Sequence, residues 1–365
     1  MARTRGIPSM TGIRGVAAVW VMLFHAQQYI CVPAHMQVIT RIRILTNGWR
    51  AVDLFFILSG FVLMYAHGKE FHTIRRGPLV RFARLRFTRV YPLNAAVASL
   101  VGIVVLLQPG FVAWRQLSHP NDFSVQAFVR TMLLANRWFI PDKGEWNAPV
   151  WSLSLEVLGY LLFPLLAYCA LRIARRWMLI SIPSLLLLGA AAVMYAAHTP
   201  PSNVQQMAFV RMLSCFVTGM SVCKLWSVAD SFAERWAAWI ATGSVAALLI
   251  VCSLTFGGVL INFCFAALLY GLAFQKGVVN ALLSSRVVVF LGEISFPLYL
   301  VHFVPVLWLQ YFLRTTGSAY SHGQIWLAMG CWAIVCIALA TLLHYLVEKP
   351  FHAWGRRWAG ERVAQ

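Results

Sequence analysis

The stretch IRGVAAVWVMLFHAQQ, residues 13 to 28, decides how this chain is read. It suits a membrane-crossing helix, yet it holds Arg14 and His25 with ten apolar or small residues between them. Eleven helical steps of about 100° return the chain to within about 20° of its starting face. The two ionisable residues therefore share a face and stand about 16 Å apart along the axis. A bilayer core is about 30 Å thick, so the pair spans about half of it. Ionisable groups at that depth are expensive and point to a pathway or a reaction site. Taken singly, Arg14 reads as well as a snorkelling anchor, and His25 as a hydrogen-bonded bundle residue. The shared face is what favours function.

Outward from that helix, composition sets the class. Of 365 residues, 60% are hydrophobic and 11% charged. This excludes an ordinary soluble domain and predicts an all-α polytopic membrane protein embedded in a lipid bilayer. The first apolar run is followed by no A-x-A-like site and is expected to stay as a signal anchor. A net charge of +19 would suit nucleic acid, but the Lys and Arg sit in loops and at helix ends. That is the positive-inside pattern, with anionic headgroup contacts, and no nucleic-acid partner is expected. The eight cysteines lie mostly in apolar segments and form no CxxC pair. Neither a disulfide framework nor a metal site is expected from them.

Ten spans are predicted, at about 11–30, 49–67, 91–108, 150–170, 178–197, 206–225, 236–253, 257–275, 295–313 and 324–346. The connection 67–91 carries Lys69, Arg75, Arg76, Arg81, Arg84, Arg86 and Arg89 against Glu70 alone. Arg3 and Arg5, Arg172 to Arg176, Lys224, Arg235, Lys276, Arg286 and the terminal Lys349, Arg356, Arg357 and Arg362 fall on the same side. Both termini are therefore expected to be cytoplasmic. Arg41 and Arg43, in the opposing loop 31–48, fit this less well. The longest outer loop, 109–149, is rich in Pro, Trp and Asn, and long loops of this kind tend to carry function. One domain over residues 1–365 is expected, since no internal repeat, low-complexity tract or soluble appendage is evident.

Asp53 lies a turn inside the outer boundary of the second span, and Glu156 one to two turns inside that of the fourth. His25, Asp53 and Glu156 are thus at similar depth on three helices. A histidine with carboxylates in reach suits general-base chemistry, a carboxylate fixing the tautomer and stabilising the imidazolium. The same trio reads also as an ion pair holding helices together, and Asp53 as a helix cap or a partner of Arg50. Arg14 lines up with the run RFARLRFTRVYP, in which Arg86 and Arg89 share a face if that helix starts early. Guanidiniums there suit a phosphate-bearing ligand such as a nucleotide or coenzyme A, although topology alone also calls for cations in an inner loop. In FLGEISFPLYLVHF, Ser295, Tyr299 and His302 recur at helical spacing, lining a channel for the acyl carrier or forming interhelical hydrogen bonds. Arg211 either faces an acceptor or snorkels outward. Val347 to Phe351 read as a helix end stopped by Pro350. Trp and Tyr near span ends read as an interfacial belt.

Five motifs occur in order: Arg-x10-His in the first span, VDLFFILSGF at 52–61, Arg-x2-Arg at 86–89, WSLSLE at 151–156 and LGEISFPLYLVH at 291–302. Together, over about residues 8 to 352, they resemble the acyltransferase-3 family of membrane O-acyltransferases. The resemblance implies transfer of an acyl group, most often acetyl, from cytoplasmic acyl-CoA to hydroxyls of extracytoplasmic glycans or glycolipids at the bacterial inner membrane. Acceptors in the family include lipopolysaccharide O-antigen, exopolysaccharide, peptidoglycan, Nod factor and, in some members, macrolides. It implies that Arg14, Arg86 and Arg89 hold the coenzyme phosphates, that His25 is the base and that Glu156 supports it. From the residues themselves Asp53 is expected beside His25, Tyr299 and His302 along the carrier's path, and Trp151, Ser152 and Arg211 at the acceptor. No metal is implied. The chain lacks the SGNH-type extension of larger members, which implies a single-module enzyme. A non-enzymatic transporter is the contrasting reading, but it would show paired, broken helices in two related halves, and the sequence shows no such symmetry.

Overall fold

The computed structural model describes residues 6–36, 39, 41–138, 144–196, 207–253, 258–316 and 320–360. Arg3, Arg5, Arg362 and part of the outer loop, 139–143, lie outside the described residues. Among the described residues there is no strand. Among the described residues nine helices are long and apolar enough to cross a membrane, and a bent pair makes a tenth candidate. The fold is that of an all-helical polytopic membrane protein.

The helices in order are α1 (Pro8–Ala26), α2 (Ala51–His67), α3 (Arg76–Leu107), α4 (Pro109–Gln116), α5 (Val125–Met132), α6 (Val150–Arg172), α7 (Met178–Ala196) and α8 (Ala208–Ser227). They continue with α9 (Ser231–Ser253), α10 (Leu260–Ala273), α11 (Gly277–Leu283), α12 (Arg286–Glu293), α13 (Ser295–Val301), α14 (Phe303–Thr315), α15 (His322–Leu343) and α16 (Lys349–Trp358).

Three features depart from the expected spans. The helix of the third span begins at Arg76, well before its apolar run, so Arg86 and Arg89 lie on α3 and share its face as the early start requires. The eighth span is bent by 88° between α10 and α11. Gln275 and Gly277 there take left-handed φ values of 57° and 86°, which ends a helix where glycine permits it. Finally, Pro350 does not stop the last helix. A π-turn over His344–Glu348 leads into α16, and Pro350 occupies its first turn, where a missing N–H costs nothing.

The chain falls into two compact units. One is drawn from Met1–Trp20, Asn47–Leu79 and Leu158–Glu293, the other from Val21–Thr46, Val80–Val157 and Ile294–Gln365. The first unit is centred on α2 against α8. Gly60 faces the Phe216 carbonyl and Gly219 the Ile57 carbonyl so closely that neither position has room for a Cβ. Between helices in lipid, small residues of this kind let backbones approach and supply the packing that hydrophobicity cannot. Phe71, Phe163 and Phe216 fill the adjoining space edge to face, with centroids 5.7 and 6.3 Å apart. In the second unit α13 packs on α15, and α14 packs on the π-turn Gln27–Cys31 that follows α1.

Candidate active site

Two irregularities in the second unit frame the site. The π-turn begins two residues after His25, and His302 occupies the break between α13 and α14. His25 Nδ1 lies 2.9 Å from His302 Nε2, and His302 Nδ1 lies 3.1 Å from the Leu298 carbonyl oxygen. A carbonyl only accepts, so the proton of neutral His302 is on Nδ1 and its Nε2 accepts. His25 must then donate from Nδ1, which leaves Nε2 of His25 with the lone pair. His302 is fully buried and His25 half-buried. Phe24 and Phe303 meet the His25 ring edge-on, each at 5.2 Å, and Tyr29 stacks at 6.1 Å. Asn147 Nδ2 donates to the Leu300 carbonyl at 2.7 Å, tying the end of the 109–149 connection to the segment that carries His302.

Around this pair Ser152 Oγ donates to the Pro149 carbonyl at 3.1 Å. Its single proton is thereby used, so Tyr299 donates its phenolic proton to Ser152 Oγ at 2.7 Å. The Tyr299 ring is 6.0 Å from that of His302. Trp151 is buried beside Ser152 in the chain, and half-buried Glu156 lies within electrostatic range of Tyr299. The described part of the 109–149 connection is knitted by charge. Arg115 donates to Asp122 at 2.8 Å, the other Asp122 oxygen accepts from the Glu145 backbone at 2.8 Å, and Arg137 donates to Glu145 at 2.7 Å. Arg115, Asp122 and Glu145 all act electrostatically on Tyr29, the ring stacked on His25. Sequence reading attached no role to Tyr29, Asn147 or Glu145, because nothing local marks them.

The remaining candidates divide between the units. In the first, Asp53 is fully buried and accepts from Arg211 at 2.6 Å, with Arg50 at 3.6 Å from its other oxygen. The Trp49 ring lies 4.0 Å from the Arg50 guanidinium and 5.0 Å from that of Arg211. Asp53 is thus a partner of Arg50 as well as of Arg211, and the outward snorkelling of Arg211 does not occur. Arg211 is 4% exposed and ion-paired, because hydrocarbon leaves a guanidinium little alternative to a carboxylate. The group on His25 Nδ1 is correspondingly an imidazole rather than the carboxylate expected. Arg14 is half-buried on α1, flanked by Gly12 and Gly15, whose missing side chains admit the Leu283 carbonyl and the Leu291–Gly292 backbone. In the second unit Arg86 and Arg89 are half-buried on α3, and Arg89 is ion-paired with Glu348.

The family described as an acyltransferase domain matches residues 7–345. The chain is 31% identical to the acyltransferase MdmB of Streptomyces mycarofaciens, over 96% of this chain and 93% of that protein. It is 26% identical to YrhL of Bacillus subtilis, provisionally named a peptidoglycan O-acetyltransferase, over 98% of this chain but 57% of that protein. Over 45% of the chain and 25% of the relative it is 24% identical to the O-acetyltransferase OatA of Staphylococcus aureus. No solved structure matches the chain significantly.

Proposed function

The chain belongs to the acyltransferase family matched over residues 7–345, and from that premise we propose that it moves an acyl group, most simply acetyl, from acyl-CoA to a hydroxyl of a glycan or glycolipid. The observation that carries the reading is the His25–His302 hydrogen bond, whose proton placement leaves His25 Nε2 basic. The acceptor hydroxyl gives its proton to that nitrogen as its oxygen attacks the thioester carbonyl. The C–S bond then breaks, and the thiolate takes the proton back from His25. When His25 becomes imidazolium, its Nδ1–H still donates to neutral His302, so the charged ring keeps its orientation throughout. No carboxylate is required at that nitrogen. The names of YrhL and OatA support O-acetylation and, for YrhL, a cell-wall glycan as the class of acceptor.

Arg14, eleven residues back on the helix of His25, is assigned the donor's phosphates, with Arg86 and Arg89 adding positive charge on their own unit. The separation of about 16 Å matches an extended pantetheine arm of nearly 20 Å. The basic loops support a reading with both termini in the cytoplasm and the acceptor outside, across a bacterial inner membrane. One observation favours a second acceptor class, a small lipophilic alcohol. An apolar groove of about 600 Å³ is lined by Ile103, Leu107, Val304, Trp308, Phe312 and Trp332, and the Trp332 indole donates to the His302 carbonyl at 3.4 Å.

The test uses oriented membrane vesicles, labelled acetyl-CoA supplied on the cytoplasmic face, and wild type beside His25→Ala. Label is expected to enter acceptor only with His25 present, through a loss of about 100-fold or more in the variant. Retained label in polymer supports the glycan, and label in the organic extract the lipophilic alcohol. Full activity in His25→Ala would sink the mechanism.

A further inference from the structure

Tyr29 lies four residues after His25, within the π-turn Gln27–Cys31, and the proton placement at His25 makes no use of it. It is half-buried, its ring stacked on the imidazole at 6.1 Å and meeting Phe303 edge-on at 5.4 Å. Those contacts need only a ring, which phenylalanine would supply equally well. Nothing in the packing calls for the hydroxyl, and among the described residues it has no hydrogen-bond partner. A phenol partly withdrawn from water without a partner is unfavourable. The charged groups that act on it, Arg115, Asp122 and Glu145, are engaged with other groups. Arg115 and the Glu145 backbone N–H each donate to one Asp122 oxygen, and Arg137 donates to Glu145.

We propose that the Tyr29 hydroxyl determines acceptor specificity by binding a second hydroxyl beside the one that reacts, selecting the vicinal diol of a sugar ring over an isolated alcohol. The inference rests on the proposed function. His302 occupies Nδ1 of His25, so the reacting hydroxyl is held at Nε2. Arg14, assigned to the donor, lies eleven residues before His25. Tyr29 lies on the other side, about 6 Å further along the axis. The donor arm comes from the first side, and the second is left to the acceptor. A sugar carries hydroxyls on adjacent carbons, and a phenol both donates and accepts, so it takes the neighbouring hydroxyl in either orientation. A site built to bond a second hydroxyl rejects a substrate that lacks one, because its own polar group is then left unpaired.

The test gives the full chain in membrane vesicles labelled acetyl-CoA and two small acceptors, cis-1,2-cyclohexanediol and cyclohexanol, with wild type beside Tyr29→Phe. The substitution removes only the oxygen and keeps the stacked ring. Wild type is expected to favour the diol about tenfold in kcat/KM, the equivalent of one hydrogen bond. In Tyr29→Phe the ratio should fall to about twofold, which the diol's two hydroxyls give by count alone. Both alcohols meet the same preparation, so a fraction of misfolded protein does not move the ratio. A diol preference that survives Tyr29→Phe, equal losses for the two alcohols, or a wild type without the preference would each overturn the assignment. Label that enters endogenous acceptor but neither alcohol overturns this inference and leaves the proposed function standing. Label that enters no acceptor overturns both.

Discussion

At the scale of residues, the chemistry turns on which nitrogen carries which proton. The Leu298 carbonyl fixes His302 and His302 fixes His25, so that under the proposed function His25 would act as a base aimed away from its own support. His302→Ala removes the acceptor for the imidazolium proton and should lower the transfer rate about 100-fold with little change in donor affinity. His302→Gln places an amide oxygen near the position of Nε2 and should retain a larger share of the activity. Measured initial rates at saturating acetyl-CoA for the two variants separate orientation of His25 from simple packing; equal losses would deny His302 its role. Asp53 belongs to a different problem. With Arg211 and Arg50 it forms a buried charge cluster, and removing one member of such a cluster leaves an uncompensated charge at about 3–5 kcal/mol. A loss of activity on substituting Asp53 therefore reads first as a loss of fold.

At the scale of elements, glycine decides how closely helices meet. Gly219→Ala drives a Cβ into the Ile57 carbonyl, and helices α2 and α8 must separate or distort. Overpacking of that kind costs about 1–3 kcal/mol. Gly243, on α9, has nothing within 4 Å of where its Cβ would stand, so Gly243→Ala meets no clash. There the gain in helix propensity, about 0.5–1 kcal/mol, should dominate. Thermal melts in detergent should accordingly move in opposite directions for the two alanines, and a parallel shift would contradict the close approach of α2 and α8. The π-turns act differently. Each occurs next to a residue of interest, His25 or Arg89's partner Glu348, where an extra residue in the turn re-aims a side chain.

At the scale of the whole molecule, basic loops imply one orientation in the bilayer. Cysteines introduced one at a time at Ser118 and Lys69, with the exposed Cys169 and Cys331 replaced by Ala, should react oppositely with an impermeant maleimide. Ser118→Cys labels in intact cells and Lys69→Cys only after lysis; the reverse pattern would invert the reading. The spans themselves were legible in the chain because hydrophobicity and a 3.6-residue period are local quantities, and each of the ten predicted spans overlaps a helix. Arg14 and His25 on one helix, and Arg86 and Arg89 on another, follow from the same local rule. What the sequence by itself determined was therefore the class of fold, the polar residues committed to the membrane, and a family carried by five ordered motifs. Only tertiary structure decided their partners. His25 meets His302 across 277 residues, Asp53 meets Arg211 across 158, and Glu348 reaches Arg89 across 259. Depth along a helix can be counted from sequence, but the azimuth at which helices face one another depends on packing volumes such as Gly60 against Phe216. The helix continuing through Pro350 shows the same limit, because the π-turn before it, with Glu348 held by Arg89 and His344, depends on contacts that a local stop signal cannot register.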